Sequence, residues 1–119
     1  MIVAGFGFRA GASAQSLADA LALTGAAPDA LATAEDKAAH PAFRALAHAL
    51  NLPVRALPAA ALDQPTATHS AASLAARSTG SLAEAAALAA AGPGARLLAP
   101  RQNSPDRMAT CAIATGDPE

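Results

Sequence analysis

Short apolar runs alternate with helical stripes along most of the chain. Residues 2–6 (Ile2, Val3, Ala4, Gly5 and Phe6) are continuously apolar and end in glycines, the pattern of a buried strand. Gly7 to Gly11 then reads as a loop. Ser13 is placed to cap a helix over 14–24, in which Leu17 and Leu21 share a face with Ala14 and Ala18 beside them. Gly25 follows as its C′ residue. Residues 31–34 predict a short strand with the polar Glu35, Asp36 and Lys37 at its end. Pro41 suits the first turn of a helix whose stripe is Phe43, Leu46, Ala47 and Leu50; Asn51 and Pro53 stop it.

The second half continues the alternation. Residues 54–57 predict a strand, 58–62 a single helical turn, 63–69 a loop and 70–77 a short helix. Ser81-Leu82-Ala83-Glu84 has the S-x-x-E form of a capping box and predicts a helix over 82–91, which Gly92-Pro93-Gly94 ends. Residues 96–99 predict a strand, 100–106 a polar turn and 108–114 a last strand. The link between these two strands is too short for a right-handed crossover, so they pair antiparallel. The expected fold is α/β: a three-layer α/β/α sandwich whose mixed, mainly parallel sheet ends in an antiparallel hairpin. It forms one domain over residues 1–114, with a frayed tail at 115–119.

Composition refines this picture. Of 119 residues, 53% are hydrophobic and 39 are alanine, so the core rests on few large side chains and the helices pack closely through small ones. A net charge of −1 and three aromatic residues, all Phe, give neither the basic footprint nor the stacking platforms of a nucleic-acid binder. The start of the chain lacks a signal-peptide pattern, and no apolar run reaches the roughly 18 residues that span a bilayer. A cytoplasmic protein without membrane or nucleic-acid partners is expected. Cys111 stands alone in an apolar strand, where a thiol is ordinarily a small buried hydrophobe.

Four segments carry candidate chemistry. Gly5, Gly7, Arg9 and Gly11 follow the first strand and precede Ser13; glycines let backbone approach a ligand, and a helix N-terminus with an arginine suits an anion. The same segment also reads as a turn chosen for backbone geometry alone. Its G-x-G-x-x-x-G spacing is one residue longer than the dinucleotide fingerprint, so no nicotinamide or flavin cofactor is expected. Thr33, Glu35, Asp36 and Lys37 end the second strand, where loops at the carboxyl ends of strands share one edge; a solvated charge run is the plainer reading. Thr79, Gly80 and Ser81 open another helix at that edge, and Arg101, Gln102, Asn103 and Ser104 lie in the last turn. His40, His48 and His69 lack metal-ligand spacing, so no metal site is expected. No Ser-His-Asp set assembles.

In order and spacing, these segments resemble a known family. Gly5-x-Gly7-x-Arg9-x-Gly11-x-Ser13, Ala32-Thr33 with Asp36-Lys37-Ala38, residues 80–88 from Gly80-Ser81 to Leu88, Leu98-x-Pro100-Arg101-Gln102 and Thr110-x-Ala112-Ile113-Ala114 are similar to CobE and the carboxy-terminal domain of CbiG over nearly the whole chain. The resemblance implies a role in making the corrin ring of vitamin B12. It implies a site over Gly5, Gly7, Arg9, Gly11, Ser13, Thr33, Asp36, Lys37, Gly80, Ser81, Arg101 and Gln102 that takes a carboxylate-rich precorrin. Other corrin-pathway enzymes would be its partners. CbiG-like proteins are associated with opening a lactone on a ring-contracted precorrin. Two readings follow: a protein that binds or hands over an intermediate, and a lactone-opening hydrolase or a subunit of one. A small nucleotide-binding α/β domain is a third. Where the family usually has an acidic residue after its Lys-Ala, this chain has Ala39-His40-Pro41, and Arg101 replaces a common Lys.

Overall fold

The order β3-β2-β1-β5-β4 puts the first and last strands at the centre of one five-stranded sheet. The structure, a computed structural model, describes residues 2–58, 79–92 and 95–116. Strand β1 (Ile2–Phe8) lies parallel to β2 (Ala30–Ala34), and β2 parallel to β3 (Val54–Leu57). On the other side β5 (Ala109–Thr115) runs antiparallel to both β1 and β4 (Arg96–Asn103). The mixed sheet ending in an antiparallel hairpin is therefore observed.

Three helices complete the layers among the described residues. α1 (Ala14–Thr24) and α2 (Pro41–Leu50) cover one face; α3 (Thr79–Ala91) covers the other. Strand alternation divides β1 between them. Ala4, Phe6 and Phe8 join Leu17, Leu21, Leu31, Phe43, Leu46 and Ile113 beneath α1 and α2. Val3 meets Ala32, Leu82, Ala85, Ala86 and Ala90 beneath α3. Two glycines let α3 sit this close. A Cβ on Gly5 would fall inside the Ala83 carbonyl and 2.5 Å from the Ala87 amide nitrogen, and one on Gly116 would collide with Ala91. Because Gly5 lies under Ala83 and Gly116 under Ala91, α3 runs from the carboxyl end of β1 back to its start.

The caps agree with local chemistry. Ser13 caps α1 and Gly25 ends it at φ 73°; Asn51 ends α2 at φ 56°. Several boundaries differ from the sequence reading. β1 continues through Gly7 and Phe8 because β5 pairs along its full length, Gly7 with Thr110 and Phe8 with Ala109. β4 likewise continues through Arg101 and Gln102 to Asn103, with register shifts around Ala99 and Pro100, so the turn begins at Ser104. Proline has no N–H for the ladder, which suits an irregular edge strand. Thr115 is paired with Ile2 and Arg96 rather than frayed. α3 starts at Thr79, so Ser81 lies inside the helix and not at its cap. Leu50, the end of the α2 stripe, is 40% exposed. The predictions for 59–62, the 63–69 loop and the 70–77 helix fall outside the described residues. No helix among those described is long and apolar enough to cross a membrane.

Candidate functional site: a rim at the carboxyl ends of β1 and β2

Two loops meet where β1 and β2 end. The first leaves Phe8 and reaches the Ser13 cap of α1. Its course is set by backbone bonds, Arg9 N–H to the Met108 carbonyl at 2.9 Å and Ala12 N–H to the Arg9 carbonyl at 3.0 Å. Arg9, Ala10, Gly11 and Ser13 are exposed, while Ala12 is buried. The second loop turns tightly after Ala34, whose carbonyl accepts the Lys37 and Ala38 N–H groups. This turn leaves Glu35 and Asp36 exposed and aims Lys37 at the first loop. The Lys37 ammonium donates to the Phe8 carbonyl at 2.8 Å and stands 5.2 Å from the centre of the Phe8 ring. An ammonium has three donors, so one bond to a carbonyl leaves capacity for an anion. His40 adds a second tie, its Nε2 lying 2.7 Å from the Ala10 carbonyl.

Five of the expected site residues thus share one rim: Arg9, Gly11, Ser13, Asp36 and Lys37. Gly80 and Ser81 belong to the first turn of α3, which reaches the same edge of the sheet from the opposite face. The others are placed differently. Gly5 and Gly7 are buried within β1, and Gly5 is the contact point for α3. Thr33 is fully buried, and its hydroxyl donates to the Phe6 carbonyl at 2.9 Å, tying β2 to β1. Arg101 and Gln102 lie not in a turn but on β4. Gln102 pairs with Cys111 and Cys111 with Phe6, so this segment stops short of the rim and is separated from β1 by β5, about 10 Å away. The Arg101 N–H donates to the buried Glu84 carboxylate at 3.1 Å, which fastens this irregular stretch to the first half of α3.

Sequence reasoning missed Ser16 and Asp106. Ser16 and Ser13 form a reciprocal capping box, and the Ser16 hydroxyl donates to Asp106 at 2.6 Å. Asp106 also accepts from the Ser104 hydroxyl at 2.5 Å and the Met108 N–H at 3.1 Å. These donors, Ser104 foremost, hold its carboxyl below the usual carboxylate range. A carboxylate so held is a weak base, so Ser16–Asp106 is a structural link rather than an activated nucleophile. A polar turn (Ser104, Pro105, Asp106) was the only signal in the sequence. Cys111 is buried in β5, and burial pushes its thiol well up, which makes it inert.

The arrangement defines a class: an α/β domain whose mixed sheet brings two cations, Arg9 and Lys37, and two exposed carboxylates, Glu35 and Asp36, to one edge beside a helix N-terminus. The chain belongs to the Cobalamin synthesis G C-terminus family, whose pattern it matches over residues 2–114. Two solved structures are close to it. One is CobE, a protein from the cobalamin (vitamin B12) biosynthetic pathway, with 36% identity, a TM-score of 0.80, and coverage of 96% of this chain and 89% of that one. The other is the cobalamin biosynthesis protein chiG from Agrobacterium tumefaciens str. C58, with 35% identity, a TM-score of 0.76, and coverage of 98% and 99%. No curated protein sequence matches it significantly.

Proposed function

We propose that this cobalamin biosynthesis domain binds a carboxylate-rich precorrin at the rim where β1 and β2 end. One observation carries the reading: the Lys37 ammonium is fixed on the Phe8 carbonyl, one residue from Arg9, so two cations from separate loops share one edge beside the α1 N-terminus. A corrin precursor presents several acid side chains around a rigid ring. Guanidinium and ammonium groups recognise carboxylates by charge-assisted hydrogen bonds, and exposed helix-terminal amides add favourable partial charge.

Binding and hand-over is the reading favoured over lactone hydrolysis, because the hydroxyl–carboxylate pairs Ser16–Asp106 and Ser104–Asp106 are built to hold the fold. Titration with hydrogenobyrinic acid tests this. Wild type binds; Arg9→Ala binds roughly tenfold or more weakly, the effect of losing one charged hydrogen bond. Equal affinities remove the rim as the site. Incubation with a precorrin lactone, followed by mass spectrometry, separates stoichiometric retention from turnover, and turnover overturns the hand-over reading.

A further inference from the structure

Common helix N-caps are short side chains that accept one amide and reach no further. α2 is capped instead by His40, whose Nδ1 accepts the Ala42 N–H at 3.1 Å. The length of the ring gives its opposite nitrogen a second partner, the Ala10 carbonyl at 2.7 Å. A carbonyl only accepts and an amide N–H only donates. Both bonds are therefore made together by one form of the ring, the neutral imidazole with its proton on Nε2. The ring stands edge-on to Phe8, with centroids 5.1 Å apart and planes at 74°, and Phe8 stacks on Phe43. The orientation of His40 is thus set by packing as well as by hydrogen bonds.

Three consecutive carbonyls of the first rim loop are engaged. Lys37 takes that of Phe8, Ala12 N–H that of Arg9, and His40 that of Ala10. Two of the three partners come from the loop after β2. Arg9, an exposed side chain on a segment without secondary structure, lies between the two clasped residues.

We propose that His40 is a positioning residue of the rim: through Ala10 it holds residues 9–11 in the conformation that offers Arg9 to a ligand carboxylate, independently of capping α2. The ligand rests on the function proposed above; the clasp does not. A loop held in its binding conformation spends less of its interaction energy on ordering.

Two variants separate cap from clasp. His40→Asn keeps a strong N-cap but ends short of Ala10, whereas His40→Ala loses both. In the free protein, amide hydrogen exchange at Ala12 rises roughly three- to tenfold in both variants, the range of one net hydrogen bond. Protection at Ala42 stays near wild type only in His40→Asn. Nitrogen-15 spectra of wild type find the Nε2–H tautomer. Hydrogenobyrinic acid binds His40→Asn more weakly by a similar factor. Unchanged Ala12 exchange, or the Nδ1–H tautomer, overturns the clasp. A loosened loop with undiminished affinity overturns the positioning role. Should wild type not bind hydrogenobyrinic acid, the binding function fails, and the exchange data alone decide whether the clasp exists.

Discussion

Ser16 on α1 gives its hydroxyl proton to the Asp106 carboxylate at 2.6 Å, joining residues 90 positions apart. The same oxygen accepts the Ser13 N–H, so the start of α1 and the β4–β5 turn are one hydrogen-bonded unit beside the rim. Replacing Ser16 by Ala removes this part-buried link and half of a capping box. We expect a loss of about 1–2 kcal/mol, read as a lower urea midpoint with an unchanged slope. A midpoint within error of wild type would show the link carries no stability.

The same unit predicts an acid dependence. The Ser104 hydroxyl first, then the Ser16 hydroxyl and the Met108 N–H, lower the folded-state pKa of Asp106. A depressed folded value means that folding favours the charged form. Its contribution is complete above the ordinary carboxylate pKa, about 3.9, and disappears as pH falls through the lower folded value. The stability gap between wild type and Asp106→Asn should therefore narrow on acidification below about pH 5. A gap that stays constant down to the acid transition contradicts this.

Gly5 predicts a steric effect with no change of charge. Gly5→Ala drives a methyl group into the backbone of α3 at Ala83 and Ala87, which cannot rotate away. A cost of about 2 kcal/mol or more is expected. Gly25→Ala is the comparison. Nothing lies within 4 Å of that position, and its φ of 73° alone costs about 1 kcal/mol. Equal destabilisation of the two variants would mean that α3 can shift without penalty.

Cys111 should not react with Ellman's reagent in native buffer. Its thiol is fully buried in the central β5 strand and its ionisation is suppressed by burial. Labelling then tracks unfolding and accelerates with denaturant. Rapid stoichiometric labelling of the native protein would place the thiol at the surface.

What could be read in advance was local. Ser13, Gly25, Pro41 and Asn51 act within a turn of themselves, and the structure has them in the expected roles. The lengths of β1 and β4 were not local. Gly7, Phe8, Arg101 and Gln102 are in strands because β5 pairs with them, a partner contributed by the last residues described. Pro100 reads as the end of a strand, yet here it sits between register shifts. Of the expected site, the pairing of the Arg9 and Lys37 loops followed from α/β topology, since both leave the carboxyl ends of neighbouring parallel strands. Arg101 could not be placed the same way, because its position depends on the buried Glu84 on a helix of the opposite face. His40 and Asp106 act through partners that only the folded chain brings near, at spacings no motif records.

β5 lies between β1 and β4. On a translating ribosome, β1, β2 and β3 can associate as soon as residue 57 emerges, but the other side of β1 waits for residues 109–115. Until then a nascent chain carries an apolar strand with a bare row of amides and carbonyls, the kind of border that recruits other chains. Premature termination after β4 should therefore yield insoluble material rather than a shorter working domain.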